Sequence, residues 1–570
     1  MYHYMAIDQG AELGFDEGNF SSIPTGLWWV LVCVVFIFVA LILLKKTDIG
    51  KVGKYFAYVI SIIVTFFPLF IVNPFFEGNL SQGYSTAHQI HFNIAWETIY
   101  NVIDGVSFTY DTTPLYGHYA LFFYLPLKLA GKGNYIIAIS LIFAMLACIE
   151  QVAILYVIDA FSPKNWVAAL LALASVSRMT YYMVHVFPIR TLFPVLLFAL
   201  FTYLYKNKKK MTTRFGYVVS CLLLTMSFIF NLEMSVACAI GFAAYVVFEL
   251  ICEKASFHKY MVSGVKVFLI CILSVALAIG TVNIYNLACG GPIILRAFFF
   301  PLVGGDTNIV NYIQYNFGWT VSVGNYAWEY ILIFLLVAAC AAWYLAINRS
   351  GKNIIHKEDS AIPVIGGMAC TGIVAFAYYM NEPLWRGLVT YQHIIYGLFA
   401  IFLGKMYVLF EKDEYPHIRH QFVRTFGLMI IAVTVCGAVQ LVNDPARIAA
   451  RKWVGAYDVA ILKEEVSQLD IPEDTYGIGQ GINMIYHMLG MDNHPKFRDT
   501  TELDMPYSET FEKVIKELRQ NDTVLINSNN HYDQITLNKL QERGFIFTPI
   551  KSFQIGSWEY TYCTLDYNGE

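Results

Sequence analysis

Runs of about twenty apolar residues recur along this chain, and they limit its fold more than any other feature. A helix needs about 20 such residues to cross the hydrocarbon of a bilayer. No water is present there to satisfy the backbone, so spanning segments must be helices or closed barrels, and runs of this length read as helices. Apolar segments lie near 27–44, 55–73, 118–131, 134–158, 165–180, 190–205, 216–230, 234–251, 264–285, 328–347, 361–380, 387–404 and 425–441. The chain is 57% hydrophobic and 14% charged, whereas a soluble domain carries about a quarter charged residues.

Charge then orients the segments, because Lys and Arg accumulate in cytoplasmic loops. Basic loops occur at 45–54, 206–214, 253–259, 348–357 and 404–424, while 75–117 holds no Lys or Arg and 286–327 holds Arg296 alone. The first set is placed inside and the second outside. Four apolar segments between Gly117 and Lys206 conflict with the odd number of crossings that this path requires. The 165–180 run is the suspected non-crosser, since it ends in the polar and aromatic SRMTYYMVHVF. About 12 transmembrane helices follow, with both termini extracytoplasmic and a multi-pass location in the cell membrane. The first 26 residues are acidic and lack the basic start of a cleaved signal, so 27–44 is read as a retained span.

From residue 443 the composition becomes that of a soluble domain. Helices are expected at 457–469, 508–519 and 533–543, with strands at TYGIG, TVLINS, FIFTPIKSF and WEYTYCTLDY. Strands alternating with helices indicate an α/β domain over 443–570. The fold class is therefore an all-α polytopic membrane domain over 27–441 with a small C-terminal α/β extracytoplasmic domain, preceded by an N-terminal segment over 1–26. No basic stripe with interleaved aromatics suits a nucleic acid. Most of the eleven cysteines lie in apolar runs without CxxC spacing. Cys289 and Cys563 fall in polar segments where a bridge stays open.

Polar groups that adjoin lipid are informative because their burial there is costly, and they gather on the outer side. The loop 75–117 carries Glu77, His88, His91, Glu97, Asp104 and Asp111. Its HFNIAWETIYNVIDG segment has the apolar spacing of an amphipathic helix lying on the membrane surface. Arg190 opens a span, Glu233 sits in the NLE turn between two spans, and Arg386 lies in YYMNEPLWRG with His393 deeper. Acids from some loops and arginines from others suit an outward-facing site for an anionic, lipid-linked substrate.

An outer loop opening with an acid (PFFEGN), then histidines, then PLYGHYALFFYLPL, with PIRTLFP, NLE and YYMNEPLWRG following in that order, resembles the GT-C fold of integral membrane glycosyltransferases. The resemblance covers roughly 55–440 as architecture. It implies a polyprenyl-phosphate sugar as donor and a glycan, lipid or protein as acceptor, with membrane lipid as the surroundings and no nucleic-acid partner. One departure stands out: the family places two adjacent acids in the first outer loop, where this chain has Glu77 alone.

In that chemistry a carboxylate takes the acceptor's proton and cations hold the departing phosphate, a role for which arginine's planar fork is suited. The catalytic candidates are Glu77 and Glu233. The substrate-binding candidates are His88, His91, Asp111, Tyr116, Arg190, Arg386 and His393. Direct displacement inverts the anomeric centre. Plainer readings stand beside these. Glu77 reads equally as a solvated helix end, Asp111 and Tyr116 as a turn and an interfacial anchor, and the arginines as snorkelling residues. His88 and His91 rank first as phosphate or hydroxyl contacts, then as surface residues, then as metal ligands. No cofactor or metal is assigned, and a divalent metal stays open. The rival functions are a transporter or flippase of lipid-linked glycans and a non-enzymatic scaffold.

Overall fold

The computed structural model describes residues 47–71, 96–108, 117–131, 134–162, 164–176, 186–299, 361–381, 401, 464, 467, 471–472, 475–479, 482–489, 508–527, 531–555 and 558–569. The membrane part contains α1 (Thr47–Ile71), a helical stretch at 96–103, α2 (Leu121–Ala130), α3 (Tyr135–Phe161), α4 (Asn165–Val176), α5 (Val186–Lys206), α6 (Arg214–Phe230), α7 (Leu232–Cys252), α8 (Phe257–Ala288) and α9 (Ile362–Asn381). Among the described residues four helices are long and apolar enough to cross a membrane: Ile137–Phe161, Ile189–Lys206, Leu232–Cys252 and Phe257–Ala288. The chain is a membrane protein.

Ion pairs mark one face of the bundle. Lys54 at the start of α1 meets Asp159 at the end of α3 at 2.6 Å, and Lys210 meets Glu253 at 2.7 Å. From this basic face α4 climbs beside α3, since the Gln151 amide donates to the Ser175 hydroxyl at 2.9 Å. The run of residues Val167 to Leu171 is buried, so α4 is a member of the bundle rather than an interfacial helix.

The shortest of these helices is α2. It has ten residues with Pro126 inside, about 15 Å of rise, and ends at Gly131, whose carbonyl accepts the Asn134 N–H at 3.0 Å before α3 begins. Phe123 packs on Phe143 with centroids 4.9 Å apart, so the two form a hairpin on the far side from the basic face. α4 is also short, with 12 residues and about 18 Å of rise. Proline and glycine end the 118–131 run below the length of a full span.

Close approach of α7 and α9 rests on small residues. A Cβ at Gly367 would lie 2.6 Å from Cε2 of Phe201 and 3.1 Å from Cβ of Tyr245.

The C-terminal part builds a four-stranded sheet from β1 (Tyr476–Ile478), β2 (Thr523–Asn527), β3 (Phe545–Ile555) and β4 (Trp558–Tyr567), in the order β1-β2-β4-β3. β1 and β2 are parallel and the other pairs antiparallel. Three helices belong to it: α10 (Ile482–Leu489), α11 (Ser508–Leu518) and α12 (His531–Glu542). Of the expected helix 457–469, residues 464 and 467 are described and helical. Side chains alternate across a strand, and β2 uses both faces. Val524 and Ile526 pack with α11 and α12, while Leu525 joins Ile482, Ile485 and Tyr486 of α10 in the cluster that continues into the membrane bundle.

That continuity corrects the surface-helix expectation for 96–103. Trp96, Glu97, Thr98, Ile99 and Tyr100 are all buried, because α10 covers the face that would otherwise meet water. His487 of α10 stacks on Tyr100 at 4.5 Å and approaches Oδ2 of Asp104 at 3.2 Å. Cys289 and Cys563 are both free.

Replacing Gly367 by valine should force α7 and α9 apart and destabilise the protein by about 1–3 kcal/mol. A thermal melt of the purified protein in detergent checks this, with G264V as control, since a Cβ at Gly264 meets nothing within 4 Å.

Candidate functional site

On the far side, α6 and α7 are joined through a single residue. Asn231 ends α6 by donating its backbone N–H to Ser227 O at 2.8 Å, and it begins α7 by accepting the Met234 N–H on its side-chain oxygen at 2.9 Å. Asparagine suits this position because its short amide satisfies one of the exposed donors of a helix start. The Ser227 and Ser235 hydroxyls, 2.9 Å apart, tie the last turn of α6 to the first turn of α7. Glu233 consequently occupies the first turn of α7, where the helix dipole favours a carboxylate.

Arg190 reaches this carboxylate from α5, with Nε 3.9 Å from Oε2. The guanidinium is 6% exposed and the carboxylate 27%, so the pair has one sheltered and one accessible side. Thr191, the next residue, stands beside the Glu150 carboxyl from α3, and Glu150 is fully buried. Three helices thus contribute ionisable groups to one neighbourhood.

The PLYG segment is fixed against the same turn. Gly117 has φ +102°, and a Cβ there would stand 2.7 Å from Phe230 O and 3.1 Å from Cα of Asn231. Glycine accepts both the conformation and the closeness. His118 then donates its N–H to Ile229 O at 2.9 Å. Its ring lies between Phe298, stacked at 5.0 Å, and Phe108, edge-on at 4.7 Å. It is 1% exposed, and neither ring nitrogen has a hydrogen-bond partner among the described residues. Burial pulls its titration down to about 3, so the ring is neutral. Phe122, Phe193 and Phe230 pack as a trio at 5.2–6.5 Å beside the turn.

The loop 104–108 is held by the end of α8. Asn286 accepts the Phe108 N–H at 2.9 Å and donates to the Phe108 carbonyl at 2.7 Å, while the Tyr285 hydroxyl donates to Val106 O at 2.9 Å.

Of the residues singled out in the sequence, the structure brings Arg190 and Glu233 together. Glu77, His88, His91, Asp111, Tyr116, Arg386 and His393 lie outside the described residues. Glu150, His118 and Gly117 were missed. Glu150 interrupts an apolar run as Glu233 does, and the same rule of costly burial marks it. Among the described residues no group of three or more His, Cys, Asp and Glu side chains could hold a metal ion. No protein-family model matches this chain, and a search of curated proteins finds no match.

Two outcomes follow. Gly117→Ala should cost about 1–3 kcal/mol, the usual range for a backbone forced out of its preferred region, and it should also loosen Glu233, read as faster amide exchange across 229–235. An unfolded histidine titrates near ~6.5, well above the folded value for His118. The unfolded chain therefore takes up that proton first, and stability is lost as the pH falls below about 6.5. The fall in melting temperature between about pH 7 and pH 5 should be shallower in His118→Phe than in the parent protein.

Proposed function

We propose that this chain is a membrane glycosyltransferase of the GT-C type that moves a sugar from a polyprenyl-phosphate carrier to a glycan, lipid or protein acceptor, with inversion. The observation that supports this most is the meeting of Arg190 with Glu233 at the α6–α7 turn. An arginine on the side away from the basic face runs against the distribution that membrane insertion favours, and burying it beside a carboxylate calls for a purpose.

In this reading the Arg190 guanidinium receives the charge that builds on the phosphate as the sugar departs. Glu233 aims it and balances its charge while no substrate is bound. A carboxylate so engaged is better suited to positioning than to proton transfer, so Glu77 is the proposed base that takes the acceptor hydroxyl's proton. The aromatic trio offers an apolar wall along which the first isoprene units can lie.

The test is transfer from a panel of synthetic polyprenyl-phosphate sugars by the purified protein in nanodiscs. Removing one preorganised donor costs roughly 10²–10³ in kcat where it stabilises developing charge, and Arg190→Gln should fall in that range. Glu77→Gln should be inactive, and Glu233→Gln should lose less than either. Absence of transfer from every donor, or full activity in all three variants, overturns the proposal.

Glu150 supports a second reading. A buried acid within a span is a feature of transporters, and translocation of a lipid-linked glycan without turnover in the same nanodisc-to-liposome format would select that alternative.

A further inference from the structure

The basic face carries a built surface for which the proposed chemistry has no use. The loop between α5 and α6 reads KNKKKMTTR over 206–214, and its backbone is held from within. Glu249 of α7 accepts the N–H of Met211 at 2.8 Å and of Thr212 at 3.1 Å. The Thr213 hydroxyl bonds to the Lys210 carbonyl at 2.8 Å, and Thr213 also caps α6.

Aromatic rings fix where the ammonium groups stand. Lys206 lies 5.2 Å from the ring centre of Tyr156. Lys209 lies 5.2 Å from that of Tyr203 and 5.0 Å from that of Phe215, and it donates to the Tyr203 hydroxyl at 3.1 Å. The neighbouring acids are already engaged: Glu249 holds the loop backbone, and Glu253 pairs with Lys210 and Lys259 at 2.7 and 2.5 Å. Burial pushes the Glu253 carboxyl up, but the hydrogen bonds from the two lysines outweigh it and hold it below the ordinary carboxylate range. Lys206, Lys209 and Arg214 face no carboxylate among the described residues.

An apolar stripe continues from this cluster. Phe215, Val218 and Leu222 are exposed at 46%, 50% and 58% along α6, a spacing that sets them on one face of the helix. Positive groups that face no carboxylate among the described residues, at the foot of an exposed apolar stripe, match the two ends of an anionic phospholipid. We propose that Lys206, Lys209 and Arg214 bind the headgroup of an anionic phospholipid from the leaflet on the basic face, with its acyl chains along Phe215, Val218 and Leu222.

The test is retention of phosphatidylglycerol against phosphatidylcholine by the full-length protein, measured by native mass spectrometry from mixed micelles. Phosphatidylglycerol should be kept in preference, and each of K206Q, K209Q and R214Q should weaken its retention roughly fivefold. K51Q, an exposed lysine of α1 on the same face, should leave the preference unchanged. Equal retention of both lipids overturns the proposal, as does an equal loss in K51Q, which would mean diffuse charge. Displacement of the lipid by inorganic phosphate would reassign the site to a free anion and overturn it too.

Discussion

The contact of Gly117 with the one-residue turn at Asn231 is the constraint on which the far side of this molecule depends. Neither partner has freedom to spare. Asn231 serves two helices at once, and residue 117 must have a positive φ and no side chain. Once they are locked together, α2 has a fixed starting point, His118 is driven between two phenylalanines, and Glu233 is presented to Arg190. The charged pair is thereby placed by backbone geometry, which is stiffer than any arrangement of long side chains.

The membrane bundle and the sheet domain meet through the helical stretch 96–103. Its burial on both sides arises because Tyr100 and Asp104 face α10 while neighbouring residues face the bundle. Burial pushes the Tyr100 phenol well up, with the Glu97 and Asp104 carboxylates adding to the effect, so it is a neutral packing group rather than an acid. The sheet domain thus rests on the stretch 96–103 and on Tyr135 at the start of α3 through His487 of α10.

Much of this was legible in the sequence, for a reason that differs from element to element. Long apolar runs declare themselves because hydrocarbon leaves no alternative to a helix, and α3, α7 and α8 lie where their runs lie. The 118–131 run gives a shorter helix than its hydropathy indicates, because Gly131 ends it after ten helical residues. Arg190 and Glu233 stood out through the cost of charge near lipid. His118 could not, since its burial needs Phe298 from a segment 180 residues away as well as the nearby Phe108. The same holds for Gly117, whose need for glycine comes from a carbonyl over a hundred residues away. Val524 and Leu525 show the same limit in the sheet: alternation is visible in the strand, but the owner of each face is not.

The unequal lengths of the helices carry a mechanical consequence for the surrounding lipid. α8 has 32 residues and is the most lipid-exposed of the four long spans, whereas α6, beside it, has 17. At about 1.5 Å per residue their apolar runs, 264–285 and 216–230, are roughly 33 and 22 Å, on either side of a hydrocarbon core of about 30 Å. The bilayer around this protein therefore meets two hydrophobic heights, and it must pinch beside α6 while α8 tilts or overhangs. Membrane thickness becomes a variable to which this fold responds: thicker bilayers favour a more upright α8, and with it a shifted Asn286 and the loop at 104–108 that Asn286 holds.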